Sequence, residues 1–246
     1  MNTLKIAVVN KATVSLQQDL QAMVQAVQKQ VKRDFAPAWN VDIDLIMLDD
    51  ATDDYDNLIF FNDADQAGAL GYHDLSPKGH AYGKVFVNTT LRDNETVSSV
   101  FSHELLEMGA DPNVDQIAKN PRNGWIYALE DCDAVETQSY LIDGIPVSNF
   151  VFPAWFDPNA SASTKLDFLG NVHAPFFITP GGYMPVQING QWTQTYGSQA
   201  AQERYMAKEK DHNRTHRIIE QTTPRPMSSL KMFDPSKFPV ISAPTK

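Results

Sequence analysis

One stretch of the chain carries three side chains that could perform metal chemistry. In FSHELLEMGADP, residues 101–112, His103 and Glu107 are four positions apart, and Glu104 lies between them. Positions i and i+4 of a helix share one face, so His103 and Glu107 can bind one cation together. A neutral imidazole and a carboxylate are both good zinc ligands, and Glu104 can take a proton from water that the metal has acidified. The spacing predicts two ligands and one general base.

An amphipathic helix that carries an incidental histidine is the competing interpretation. A His-Glu-x-x-Glu string is expected by chance in roughly a few per cent of chains of this size. The context favours the metal site, because apolar residues recur at helical spacing around it: Val97, Val100, Phe101, Leu105 and Met108. Asn94 or Thr96 can cap the start of this helix, and Gly109 with Pro112 is expected to end it.

A catalytic zinc ion usually takes a third protein ligand and keeps a fourth position for water. Asp111 is one candidate, but its place beside Pro112 fits the end of the helix better. The acidic segment LEDCDAVE is the stronger candidate, and its carboxylates are Glu130, Asp131, Asp133 and Glu136. Aromatic neighbours would bury these charges, which a cation would balance.

The elements that must position this helix alternate between strands and helices. Strands are predicted at 4–9, 41–48, 57–61 and 84–88. Apolar residues at helical spacing predict a long helix from Leu16 to Phe35, with Ser15 and Gln18 as a capping box and Pro37 as its stop. The glycine-rich stretch 68–83 is expected to be a loop.

The later part of the chain gives weaker signals. Asp143-Gly144 predicts a hairpin turn, a polar helix is expected from Ser198 to about Gln221, and the last residues, rich in proline, resemble an extended tail. We therefore expect an α/β (α+β) chain in three parts: an α/β subdomain with the metal-binding helix at 1–112, an irregular subdomain that closes the site at 113–197, and the helix and tail at 198–246.

Composition narrows the classes of partner. The formal net charge is −10 and the isoelectric point is near 4.9, which argues against a nucleic-acid-binding surface. The apolar stretch at the N-terminus is shorter than a signal peptide requires, and no later stretch is long enough to cross a bilayer. A cytoplasmic or virion-associated protein is expected. The single cysteine, Cys132, predicts a buried thiol and no intrachain disulfide.

SHELLEMGADP, GWIYALEDCDAVE, VSNFVFPAWFDP and GGYM together resemble zincin-like proteins of bacteria and phages, and more distantly the exordium-like proteins of plants. The resemblance covers roughly residues 55–185. It implies a zincin-like fold with one zinc ion, held by His103, Glu107 and either Glu130 or Asp133, with Glu104 as the base. It also implies an antiparallel edge strand that pairs with extended peptide substrate, which we assign to Val85, Phe86 and Val87.

Two functions follow as hypotheses. The first is a zincin-like metallopeptidase acting on a peptide or protein substrate. The second is a catalytically inactive scaffold of the same fold, such as a virion component that assembles with copies of itself or with virion partners through its C-terminal tail. One imidazole and two carboxylates would make the bound water less acidic than two imidazoles would, which favours the second hypothesis.

Other side chains receive weaker assignments. His73 and His80 precede the predicted edge strand and could reach the cleft, although a backbone hydrogen bond is the favoured role for each. Tyr72 and Tyr82 are candidate oxyanion donors. His173 is expected to be packed in a loop, and His212 with His216 is expected to lie on a solvated helix.

Overall fold

The computed structural model describes residues 3–65, 69–208 and 229–243. These residues form a mixed α/β protein with two five-stranded sheets and one two-stranded sheet, which confirms the predicted α/β class. The chain divides into two compact units. The first contains the described residues up to Val114 together with Ser139–Ser148, and the second contains Asp115–Gln138 and the described residues from Asn149 onward.

The sheet of the first unit has the strand order β2-β1-β3-β5-β4. Its strands are β1 Thr3–Asn10, β2 Asp42–Leu48, β3 Asp56–Phe61, β4 Gly71–Leu75 and β5 Ala81–Phe86. Strands β1, β2, β3 and β5 run parallel, whereas β4 is antiparallel to β5. The buried middle of β1, at Ile6, Ala7, Val8 and Val9, fits its interior place between β2 and β3.

Strand β4 was not predicted, and its presence corrects the assignment of the edge strand. The residues expected to form the edge are interior or helical: Val85 and Phe86 lie in β5, between β3 and β4, and Val87 begins a helix. All three side chains are buried. The glycines of 68–83 suggested a loop. Residue 68 lies outside the described residues, but Gly71 and Gly83 lie in paired strands and Gly79 lies near the turn between them.

The long N-terminal helix is continuous from Leu20 to Trp39. It consists of α1 Leu20–Gln30, a π-helical turn Val31–Phe35 and α2 Ala36–Trp39. Asp19, and not Ser15, caps its start, since the Asp19 side chain accepts a hydrogen bond from the Ala22 amide. Pro37 does not stop the helix, which continues to Trp39 after the π-helical turn; Asn40 ends it in the left-handed conformation, with φ of 52°.

Two helices follow β5: α3 Val87–Arg92 and α4 Val97–Ala110. Thr96, one of the two predicted capping residues, immediately precedes α4, but its side chain makes no capping hydrogen bond. Gly109 does not end the helix but lies inside it, where a Cβ atom would come within 2.8 Å of Ile43 Cδ1 and 3.2 Å of Phe35 Cε1. Every residue of α4 except Ser99 is buried. Such all-round burial is typical of a helix in a core and not of a surface amphipathic helix.

The predicted hairpin around Asp143 and Gly144 is confirmed. Its strands are β8 Ser139–Ile142 and β9 Ile145–Ser148, and both turn residues have positive φ, as a two-residue hairpin turn requires. The sequence did not indicate that this hairpin belongs to the first unit, where it packs against α1 and α4.

The second unit has its own sheet, which corrects the expectation of an irregular subdomain. Its strand order is β11-β10-β7-β6-β12, formed by β6 Gln116–Lys119, β7 Ile126–Ala128, β10 Tyr183–Ile188, β11 Gln191–Tyr196 and β12 Lys231–Met232. The polar helix α5 spans Gln199–Lys208.

The described part of the C-terminal tail is packed and not merely extended. Strand β12 pairs with β6, Lys231 Nζ lies 2.7 Å from Asp115 Oδ2, and the buried ring of Phe233 contacts Phe156.

Among the described residues, no helix combines the length and the apolar character needed to cross a bilayer.

Candidate metal site on helix α4

Helix α4 carries His103, Glu104 and Glu107, as the sequence predicted. All three residues are buried, with exposed fractions of 6%, 2% and 4% in that order. His103 Nε2 lies 3.1 Å from Glu107 Oε1, so the pair four positions apart meets on one face of the helix. The two predicted ligands are therefore adjacent within a single rigid element.

The geometry of this pair fits a shared cation. Two donor atoms that each lie at zinc-ligand distance from one tetrahedral ion are themselves about 3.3 Å apart. Glu107 Oε1 is buried and accepts no hydrogen bond from any residue that the structure describes, although His103 Nε2 is close. A buried carboxylate oxygen in this situation is costly unless a cation or a donor satisfies it.

Electrostatics keep Glu107 in the charged form that a ligand requires. Burial alone would raise the pKa of its carboxyl group, but the imidazoles of His103 and His73 more than offset burial. The net result is a pKa below the ordinary value for glutamate.

His73 of strand β4 is the site residue that sequence reasoning misjudged. Its Nδ1 atom lies 3.5 Å from Glu107 Oε2 and 3.8 Å from Glu104 Oε2, and its side chain is buried. A backbone hydrogen bond was the favoured role because β4 had been assigned as loop. The short alternation of Gly71, Tyr72, His73 and Asp74 before a turn was the available signal for a strand.

Gly71 makes the space that Glu104 occupies. A Cβ atom at position 71 would lie 2.5 Å from Glu104 Oε1 and 2.8 Å from both Glu104 Cγ and the Lys84 carbonyl oxygen. These separations are shorter than van der Waals contact, so any larger residue at 71 would displace the Glu104 side chain.

A buried polar network fixes α4 against the long helix and the hairpin. Ser102, next to His103, donates to Gln30 Oε1 at 2.7 Å and accepts from the Ser148 amide at 2.9 Å. Gln30 Nε2 in turn donates to the Ser148 carbonyl oxygen at 2.8 Å and to the Tyr140 hydroxyl at 3.2 Å. Because both helices and β9 share these bonds, the network sets the position of α4 within the first unit.

The predicted third ligands belong to the second unit. Glu130 is half-buried after β7, and Asp133 is buried at the start of a 3₁₀ turn, Asp133–Val135. Their role as zinc ligands stays a prediction. Cys132 between them is fully buried, as expected. Asp111 ends α4, with its amide bonded to the Glu107 carbonyl oxygen, which agrees with the role predicted for it.

The other candidates have different surroundings. The hydroxyl groups of Tyr72 and Tyr82 donate to Asp65 and Asp74, and both rings join the aromatic cluster with Phe86, which does not support an oxyanion role. His80 Nδ1 lies 3.8 Å from Asp56. His173 is exposed, contrary to the expectation of a packed loop residue, and His212 and His216 lie outside the described residues.

Comparisons with known proteins identify no family. No family model and no curated protein matches the chain. One solved structure, described as the GM1 bound form of the ECX AB5 holotoxin, is 13% identical, with a TM-score of 0.25. The match covers 37% of this chain and 36% of that chain, an extent that carries no argument about fold or function.

Proposed function

We propose that this protein is a zincin-like, metal-dependent hydrolase of peptide bonds. One divalent cation, zinc by the chemistry of its donors, would be held by His103 and Glu107. Glu104 is the general base. Glu130 or Asp133 stays the proposed third ligand, and the peptide substrate class comes from the sequence resemblance to zincin-like proteins.

The observation that carries the proposal is the buried His103–Glu107 pair. The separation of 3.1 Å between Nε2 and Oε1 matches two ligands of one ion, and the carboxylate oxygen accepts no hydrogen bond from the described residues. An ordinary ion pair would align the imidazole N–H with the oxygen. The second carboxylate of the same helix, Glu104, supplies the base that such a site needs.

A bound divalent cation supplies Lewis-acid chemistry, which polarises a carbonyl group and lowers the pKa of water. The chain's own residues do the rest. Glu104 takes the proton from the attacking water and returns it to the leaving amine. Helix α4 holds base and ligands in fixed register, so little reorganisation accompanies the reaction.

The substrate strand is reassigned from β5 to β4. Strand β4 is antiparallel and terminal in the order of described strands, and its residue His73 lies beside Glu104 and Glu107. The resemblance to zincin-like proteins implies an edge strand in this place, so β4 is proposed to line the substrate in place of Val85, Phe86 and Val87.

The test compares the wild-type chain with Glu104→Gln, each loaded with zinc and incubated with an unfolded protein. We expect Glu104→Gln to keep its zinc and its thermal unfolding temperature but to lose cleavage by at least about 100-fold, the usual size of a general-base contribution. Equal cleavage by both chains would overturn the role of Glu104.

A second candidate is a scaffold in which the buried cluster only stabilises the fold. The burial of all four side chains of this cluster, His73, His103, Glu104 and Glu107, favours it. In this case neither the wild-type chain nor Glu104→Gln cleaves the unfolded protein. A zinc-loaded wild-type chain that cleaves no unfolded protein supports the scaffold and contradicts the hydrolase.

A further inference from the structure

Glycines in β4 and in its neighbour β5 leave space for side chains of α4. Gly71 leaves room for Glu104, and Gly83, the cross-strand neighbour of His73, leaves room for Met108, whose Sδ would lie 2.8 Å from a Cβ atom at position 83. Gly71 and His73 are two residues apart on one strand and therefore face the same side of the sheet. The contacts with Glu104 and Glu107 show that this side faces α4.

The two imidazoles contact different oxygens of Glu107. His103 Nε2 lies beside Oε1, whereas His73 Nδ1 lies beside Oε2. A ligating carboxylate is commonly held by a second group that bonds its other oxygen and so fixes its orientation. His73 has the position of that second group.

His73 also lies next to the base. Its Nδ1 atom is 3.8 Å from Glu104 Oε2, so one imidazole lies near both buried carboxylates of α4. Two buried carboxylates on adjacent turns repel each other, and a nearby N–H dipole reduces this repulsion.

We propose that strand β4 positions both carboxylates of the site: Gly71 defines where Glu104 lies, and His73 orients Glu107 as a ligand without binding the ion itself. This inference rests on the proposed function. His73 and Gly71 are thus positioning residues, and the strand has a role that neither the motif on α4 nor the acidic segment near residue 130 indicates.

The first test measures zinc affinity and the absorption spectrum of the cobalt-substituted full chain for His73→Leu and His73→Asn. The Asn amide nitrogen can occupy the place of Nδ1, whereas leucine offers no donor. We expect His73→Leu to bind zinc about 10- to 100-fold more weakly, with cobalt bands at the wild-type wavelengths because the ligands are unchanged. We expect His73→Asn to recover most of the affinity.

Two results would overturn the role of His73. Wild-type affinity in His73→Leu would show that His73 does not orient the ligand. A cobalt spectrum altered in both variants, with no rescue by asparagine, would make His73 a direct ligand. A wild-type chain that binds zinc no better than His103→Ala would overturn the proposed function as well, so the two failures are distinguishable.

The second test concerns Gly71. We expect Gly71→Ala to keep its zinc affinity, since His103 and Glu107 are untouched, but to lower kcat at little change in KM because Glu104 is displaced. Gly79→Ala is the control for strain in the same hairpin, because φ of +84° disfavours alanine there while nothing lies within 4 Å of the Cβ position to displace a site residue. Equal kcat in the two variants, or loss of zinc from Gly71→Ala, would contradict the role assigned to Gly71.

Discussion

Ser102 and Ser98 offer a direct measurement of what the buried network contributes. Both serines are fully buried in α4, one turn apart. Ser102 Oγ bonds to Gln30 Oε1 at 2.7 Å and to the Ser148 amide at 2.9 Å, whereas Ser98 Oγ has no hydrogen-bond partner in the described part of the chain. The same substitution by alanine therefore removes two bonds at one site and none at the other.

The two substitutions are expected to change the free energy of unfolding in opposite directions and by different amounts. Ser102→Ala removes one bond to a buried acceptor, Gln30 Oε1, and one from a buried donor, the Ser148 amide, and losing a buried bond of this kind costs about 1–3 kcal/mol. Since Gln30 keeps its bond to Ser148, we expect a loss of about 2–4 kcal/mol in the free energy of unfolding. Ser98→Ala removes a buried hydroxyl group that makes no bond, so we expect no loss, and a gain of up to about 1 kcal/mol.

Urea denaturation followed by far-UV circular dichroism measures both variants in the metal-free chain. The metal-free state matters because Ser102 precedes a proposed ligand, and bound metal would add its own stabilisation. Equal losses for the two variants, or a loss under about 0.5 kcal/mol for Ser102→Ala, would refute the claim that this network fixes α4.

Three further predictions follow from the same structure. Burial and the hydrogen bond to Asp34 raise the pKa of Tyr140 above its ordinary value; the folded state therefore favours the neutral phenol, and stability that is present below about pH 10 is lost as the pH rises further. In Tyr140→Phe, the free energy of unfolding measured with urea should fall less steeply above about pH 10, and the same fall as in the wild type would contradict this prediction. Phe233→Ala should destabilise the second unit by about 2–4 kcal/mol because a packed ring is lost; unfolding at the wild-type urea concentration would show that the tail does not contribute. A chelator should lower the melting temperature of the zinc-loaded wild-type chain but not that of His103→Ala, and equal shifts would place the ion elsewhere.

Periodicity and turn chemistry predicted much of the fold. Strand β1, helix α4 and the hairpin at Asp143 and Gly144 were predicted from the sequence because their signals are local: apolar spacing for the strand and the helix, and a left-handed turn for the hairpin. The pair His103 and Glu107 was predicted for the same reason, since i and i+4 spacing fixes their proximity once the helix exists.

Features that depend on tertiary packing were not predicted. Strand β4 has glycine at position 71, where strands usually have bulky residues, because the Glu104 side chain of α4 and the Lys84 carbonyl oxygen of β5 both come close there. The place of His73 beside Glu107 was not predicted either, because it arises from strand pairing and not from local spacing. The pairing of β12 with β6 joins residues far apart in the chain, which no local pattern indicates.

The central claim is that His103 and Glu107 share one cation. Titration of the purified, metal-free chain with zinc, read by isothermal calorimetry and by elemental analysis after dialysis, tests it most directly in the wild type and in His103→Ala and Glu107→Ala. We predict one ion per wild-type chain, and binding weakened by more than about 100-fold in each variant, since losing a ligand costs more than losing a supporting group. Undiminished binding in either variant, or a wild-type chain that takes up no zinc, would contradict the account.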